Sequence, residues 1–206
     1  MITQEHAAAH VHRDDVGARM GMWLFLFTEL LLFGGMFFLY SVYRFINQEQ
    51  FNIAAKELNT LVGTFNTIIL LTSSLTMALA IGAIQRNNKS LSVFFQTLTI
   101  LLAFGFLINK YFEWSIKFHH GIFPGSEILL NKPKGEILFF GLYYVMTGLH
   151  GLHVVIGIFL IGFMTRLTMK NVINKDSYVK LESAGLYWHL VDIIWIFLFP
   201  LFYLIT

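Results

Sequence analysis

Five long apolar stretches constrain this sequence more than any other feature. Each approaches or exceeds the roughly 20 apolar residues that an α-helix needs to cross the hydrocarbon core of a bilayer. They predict transmembrane helices over residues 20–43, 61–84, 91–117, 137–166 and 184–205, behind a polar tail at residues 1–19. Only Pro200 interrupts a span. We therefore expect an all-α integral membrane bundle of five helices, forming one domain over residues 1–206.

The composition supports a membrane protein and excludes several classes of soluble protein. Hydrophobic residues make up 56% of the chain and charged residues only 13%, whereas a soluble domain has about 25% charged residues. The chain has no cysteine, which excludes disulfides, thiolate metal sites, iron–sulfur clusters and cysteine nucleophiles. A formal net charge of +2 is too small to indicate nucleic-acid binding.

The loop charges predict the orientation of the chain. Residues 1–19 show no signal-peptide pattern, so the first apolar segment is expected to insert and remain. If the spans alternate, the loops on the N-terminal side carry eight Lys and Arg residues and those on the other side carry six. By the positive-inside rule, we expect the N-terminus inside and the C-terminus outside.

Small residues recur on the second predicted helix, where Ser74, Ala78 and Gly82 are four residues apart. This spacing allows another helix to approach closely within a membrane. Such residues are also tolerated in membrane helices without a contact, and the sequence leaves both interpretations open.

Glu29 is an acidic residue within an apolar segment of the first helix. An ionised carboxylate deep in a bilayer costs at least a few kcal/mol, and no basic residue lies within two helical turns of Glu29. Desolvation therefore favours the protonated acid. That acid is a candidate for proton movement, or alternatively a simple hydrogen-bond donor to a neighbouring helix.

Two helices each carry a pair of ionisable residues spaced three apart: His150 and His153 in the fourth span, and His189 and Asp192 in the fifth. This spacing places the members of each pair on one helix face. Together with Glu29 they fall in a shared band, so they are candidates for one polar cluster. Facing histidines on two helices also suggest bis-histidine haem ligation. Against haem, Asp192 beside His189 suggests an ordinary hydrogen bond between the two.

A second polar site is predicted at the end of the third span. Glu113 has Lys110 three residues before it and Lys117 four residues after it, which predicts an ion pair at the membrane interface. The tail histidines His6, His10 and His12 allow weak metal binding, although a mobile polar tail is the preferred interpretation.

The sequence from Gly17 onward resembles subunit III of the haem-copper terminal oxidases, which include cytochrome c and quinol oxidases. The resemblance rests on three segments: Gly21–Glu29 (GMWLFLFTE), Thr147–Val154 (TGLHGLHV) and Tyr187–Trp195 (YWHLVDIIW). The segment Lys110–Trp114 (KYFEW) also matches. Many members have seven helices, and this chain is similar to the shorter five-helix form, so the lipid-filled cleft made by the first two helices does not carry over.

The resemblance implies an accessory subunit without haem or copper, in a proton-translocating, oxygen-reducing complex of the aerobic respiratory chain. It implies direct packing on catalytic subunit I, with subunit II and small subunits nearby, bound phospholipids, and no nucleic acid. Whether the complex joins a larger respiratory assembly is left open by the sequence. Such a subunit supports proton uptake and the stability of the catalytic centre. Glu29 corresponds to the family's carbodiimide-reactive carboxyl, and His150, His153, His189 and Asp192 to packing and hydrogen-bonding positions.

Alternatives from the same and other classes remain at this point. A quinol oxidase subunit and a nitric-oxide-reductase-associated homologue share the resemblance. A stand-alone di-haem membrane anchor is less favoured, and a small transporter would predict an inverted repeat, which five unequal helices do not show. The expected location is a multi-pass position in a bacterial inner membrane.

Overall fold

The computed structural model of the chain describes residues 15–205 and is helical throughout, with no β-strand in that range. The helices are α1 (Asp15–Ile46), α2 (Gln48–Ala55), α3 (Thr60–Gln85), α4 (Lys89–His119), α5 (Glu127–Leu130), α6 (Lys134–Met169) and α7 (Val179–Tyr203). Five of them, α1, α3, α4, α6 and α7, are long and apolar enough to cross a membrane. The all-α fold class with five membrane helices is confirmed. The histidines of the N-terminal tail lie outside the described residues.

The helices extend further than the apolar stretches that predict them. α1 begins at Asp15, inside the predicted polar tail, and α4 continues to His119. At 1.5 Å per residue, the 31 residues of α4 span about 47 Å, more than the roughly 30 Å hydrocarbon core. Asparagine side chains cap two of the starts: Asn59 accepts from the N–H groups of Leu61 and Val62, and Asn88 accepts from Leu91.

Helix α7 occupies the centre of the bundle and packs against α1, α3 and α6, while α4 packs between α3 and α6. Over the most apolar 18 residues of α7, 56% of the residues are buried, whereas the corresponding fraction for α1 is 11%. The exposed side of α1 is strongly apolar and includes Trp23, Leu31 and Phe38. α1 is therefore attached to one side of a four-helix bundle and leaves most of its surface for lipid or another chain.

Polar contacts attach α1 at three levels along its length. Near its start, Arg19 forms an ion pair of 2.9 Å with Glu182 of α7. Near its end, the hydroxyl of Tyr40 donates to the backbone carbonyl of Leu201. The third contact, at Glu29, is described below.

Close backbone approach at glycines allows the aromatic side chains of α7 to pack into the bundle. A Cβ atom at Gly157 of α6 would lie 2.6 Å from the ring of Trp188, and one at Gly63 of α3 would lie 2.8 Å from Phe199. The indole N–H of Trp188 also donates to Ser73 at 3.1 Å. The fully buried Trp188 thus fits between α3 and α6 because Gly157 has no side chain.

Candidate functional site

Glu29 and His153 form a polar pair within the membrane-spanning part of the bundle. His153 Nε2 lies 2.9 Å from Glu29 Oε2, which joins α1 to α6. The side chains are only 14% and 10% exposed. Glu29 is 14 residues past the start of α1, or about 21 Å along the helix axis, so the pair lies deep in the bilayer.

The other nitrogen of His153 determines what this pair can do. His153 Nδ1 lies 2.7 Å from the backbone carbonyl of Leu149, and because a carbonyl oxygen only accepts, Nδ1 carries a proton. The contact with Glu29 then holds one further proton, either on the carboxyl with neutral imidazole or on imidazolium with carboxylate. Glu29 and His153 therefore share a proton that can change sides without breaking the hydrogen bond.

Aromatic rings and a backbone contact hold His153 in place. Phe33 packs edge-on against the imidazole with 5.3 Å between ring centroids. The hydroxyl of Tyr187 donates to the backbone carbonyl of His153 at 3.1 Å. α1, α6 and α7 thus meet at this pair.

His150 occupies a different environment from His153, although both are on α6. Its ring is fully buried between Phe106 and Trp195, at centroid distances of 5.5 and 5.3 Å. Neither ring nitrogen has a hydrogen-bond partner among the described residues. It packs as an aromatic ring between α4 and α7.

His189 and Asp192 lie in the contact between α7 and α3. His189 Nδ1 is 2.7 Å from the hydroxyl of Ser74, while both carboxyl oxygens of Asp192 lack a hydrogen-bond partner within the described part of the chain. The expectation that His189 bonds to Asp192 is therefore wrong, because the serine of the neighbouring helix takes the imidazole nitrogen. The structure places Glu29 and His153 between α1 and α6, separate from His189 and Asp192.

The most extensive polar cluster lies near the other end of the bundle and joins Lys110, Glu113, Tyr143 and Tyr203. The ammonium of Lys110 is 3.1 Å from Glu113 Oε2 and donates to the hydroxyls of Tyr143 at 3.1 Å and Tyr203 at 2.9 Å. Both hydroxyls donate to Glu113 Oε1, at 2.7 and 2.5 Å. The ammonium and both carboxylate oxygens of this cluster thus have hydrogen-bond partners. The cluster connects α4, α6 and α7.

Lys117 does not bond to Glu113. Its ammonium donates to the backbone carbonyl of Glu57 at 3.1 Å. The Glu57 carboxylate instead pairs with Lys132 at 2.5 Å, and Lys132 also pairs with Glu136 at 3.1 Å. Partial burial lowers the pKa of Lys132, but the two carboxylates outweigh it and raise that pKa overall.

Sequence reasoning missed Tyr143 and Tyr203. A signal was present, because a tyrosine in an apolar span requires a partner for its hydroxyl when buried. The sequence does not show that two tyrosines from different helices meet the same carboxylate. Among residues 15–205, no group of three or more His, Cys, Asp or Glu side chains is arranged to hold a metal ion.

The chain is similar to known proteins over nearly its whole length. The family model described as "Cytochrome c oxidase subunit III" matches residues 2–206. A cytochrome c oxidase subunit 3 of Thermostichus vulcanus is 32% identical over 201 residues, covering 97% of this chain and 93% of the relative. A quinol oxidase subunit 3 of Bacillus spizizenii is 31% identical, covering 90% and 85%.

A third relative combines two subunit names. A heme-copper oxidase subunit I+III of Aeropyrum pernix is 32% identical over 193 residues, covering 91% of this chain and 22% of that longer protein. The matches extend through all five membrane helices and include the segments that contain Glu29, His153 and His189. The chain is a membrane protein of the cytochrome c oxidase subunit III family, a subunit III of haem-copper oxidases of the cytochrome c or quinol type.

Proposed function

We propose that this chain is an accessory subunit, without haem or copper of its own, that packs directly on catalytic subunit I of a proton-translocating oxidase. The observation that carries the proposal is the match of its whole length to subunit III. The Aeropyrum pernix relative supports the direct partnership, because its name assigns subunits I and III to one polypeptide. Two regions of one chain remain neighbours by covalent connection.

The orientation proposed from the loop charges puts the N-terminus inside. Arg19 and Glu182 then form their ion pair near the inner surface, and the cluster of Lys110 and Glu113 lies toward the outer surface. Glu29 and His153 lie between these two levels.

We propose that Glu29 and His153 support proton uptake by the catalytic subunit and so protect its centre during turnover. Three features support this role: the pair shares one proton, it lies deep in the bilayer, and its carboxyl is on α1, the least buried of the five membrane helices. Because 14% of the Glu29 side chain is exposed, a group of a neighbouring chain that contacts it can exchange a proton with the pair.

Purification of the tagged chain from native membranes in a mild detergent tests the partnership. We expect oxidase subunits I and II to co-purify, identified by mass spectrometry, and the complex to show haem absorption bands. The chain separated from the complex is expected to show none. Haem bands from the isolated chain would identify a di-haem anchor and contradict the proposal.

A quinol-oxidising complex is a second candidate, favoured by the Bacillus spizizenii relative. Oxygen consumption by the same preparation with reduced cytochrome c or with a quinol distinguishes the two donors. The proposed role of this subunit is the same in either case.

Replacing Glu29 with glutamine is expected to leave assembly and most oxygen reduction intact, because the amide N–H can still donate to His153 Nε2. The variant loses the shared proton, so we expect its activity to decline sooner during sustained turnover. Oxygen consumption followed over many turnovers measures both effects. Glu182→Gln, which removes the ion pair between α7 and the start of α1, is the matched control. A missing complex in the Glu29 variant would show that the acid is structural instead.

A further inference from the structure

We propose that the surface formed by α3 and α7 around His189 binds a transmembrane helix of another chain of the oxidase, and that this helix forms a hydrogen bond with His189 Nε2. The choice of partner rests on the proposed function. The hydrogen-bond requirement rests on the geometry of Ser74, His189 and Asp192.

The surface, called here the α3–α7 face, is built from one stripe of each helix. The α7 stripe lies on the side of that helix between its contacts with α3 and its contacts with α1. The α7 stripe has His189 half-buried and its other members exposed, and the α3 stripe has Ser74 half-buried and its other members exposed. The members are His189, Ile193, Ile196 and Pro200 of α7, and Leu71, Ser74 and Ala78 of α3.

Some polar groups at this face have no hydrogen-bond partner among the described residues. The Ser74 hydroxyl is 2.7 Å from His189 Nδ1 and also lies close to Asp192, but not in hydrogen-bond geometry with it. Asp192 is only 2% exposed, and both of its carboxyl oxygens lack a partner among the described residues. Among those residues, His189 forms a hydrogen bond only through Nδ1.

The Ser74 hydroxyl satisfies only one ring nitrogen of His189. It contacts Nδ1 and does not bond to Asp192. In either tautomer of a neutral imidazole, one nitrogen is an N–H donor and the other is an acceptor. Nε2 therefore requires a hydrogen-bond partner that the described residues do not supply.

The depth of His189 excludes water and lipid headgroups as the partner of Nε2. It lies ten residues past Val179, about 15 Å along α7, and Ser74 is correspondingly near the middle of α3. Acyl chains form no hydrogen bonds, and an unsatisfied polar group in hydrocarbon costs several kcal/mol. The partner of Nε2 must therefore belong to a polypeptide, such as a hydroxyl or amide side chain of a neighbouring helix.

The shape of the face suits a helix. Ala78 and Ser74 are small, and the Cβ position of Gly82, one turn further along α3, has no atom within 4 Å. Small residues on one helix allow the backbone of another to approach closely. The exposed side chains of α4 and α6, such as Leu101, Ile108 and Phe159, are apolar and require only acyl chains.

Photo-crosslinking in the intact complex tests the location of the partner. Benzoylphenylalanine is placed at Ala78 or Ile193 on the α3–α7 face, and at Leu101 or Phe159 as controls, and native membranes are irradiated. We expect the first two positions to form adducts with another oxidase chain and the controls to form none with protein. Adducts of Ala78 and Ile193 only with lipid, or only with a second copy of this chain, would overturn the inference.

The outcomes separate this inference from the proposed function. If oxidase subunits co-purify but only Leu101 or Phe159 crosslinks to them, the docking face is wrong and the proposed function stands. If no oxidase subunit co-purifies, both are wrong.

Substitutions of His189 test the hydrogen bond. His189→Gln keeps an acceptor and is expected to remain in the complex, whereas His189→Leu is expected to dissociate about threefold to tenfold faster in a stringent detergent wash. The thermal unfolding midpoint of the dissociated chain separates loss of docking from misfolding. Equal dissociation of His189→Leu and the unmodified chain would overturn the proposed hydrogen bond.

Discussion

Replacing Glu113 with glutamine is expected to lower the free energy of unfolding by about 3–5 kcal/mol. The substitution leaves the Lys110 ammonium without a carboxylate at a site where the two side chains are only 9% and 6% exposed. Tyr143 and Tyr203 would still donate to an amide oxygen, so the loss comes mainly from the uncompensated charge. Thermal or denaturant unfolding of the purified protein in detergent measures the change.

Two further variants isolate this effect. Glu182→Gln breaks the more exposed pair with Arg19 and is expected to cost no more than about 1 kcal/mol. The double variant Lys110→Met with Glu113→Gln removes both charges and is expected to recover most of the stability. A Glu113→Gln variant no less stable than Glu182→Gln would show that the buried pair does not stabilise the bundle.

The five membrane helices were predictable because the bilayer itself sets their length and composition. Their ends were less predictable, because each helix continues into the interface until a cap or turn stops it. Asn59 and Asn88 perform this role at the starts of α3 and α4. The short helix α2 has no strong apolar pattern, yet Phe51 within it is fully buried and packs against Tyr40 of α1 and Phe139 of α6.

The candidate site was predictable residue by residue, but its partners were not. Spacing of three residues places His189 and Asp192 on one face of α7, and it cannot show that Ser74 of α3 reaches the imidazole. In the same way, nothing near Glu29 in the sequence indicates His153, which is 124 residues away. Contacts between residues of different helices depend on which helix surfaces pack together. A single sequence does not show directly which surfaces those are.

The glycines illustrate the same distinction and give the second prediction with a large effect. α6 contains Gly157 and Gly162, and the sequence does not distinguish them. A Cβ at Gly157 would lie 2.6 and 2.7 Å from two ring atoms of Trp188, whereas a Cβ at Gly162 has no atom within 4 Å. Only Gly157 is therefore required for the contact between α6 and α7.

Gly157→Ala is expected to destabilise the protein by about 1–3 kcal/mol, the usual cost of adding atoms to a packed interior. Trp188 cannot easily move, because it is fully buried and its indole N–H donates to Ser73 at 3.1 Å. Thermal unfolding in detergent measures the loss, and quenching of tryptophan fluorescence reports exposure of the ring.

Gly162→Ala is the matched control on the same helix. It is expected to be neutral or slightly stabilising, because alanine is the better helix former by up to about 1 kcal/mol and meets open space here. If both variants unfold at the same midpoint, then α6 and α7 can separate without cost, and the close approach at Gly157 does not stabilise the bundle. A loss confined to Gly157→Ala would show that the position of α7, and with it the placement of His189 and Tyr187, depends on this one missing side chain.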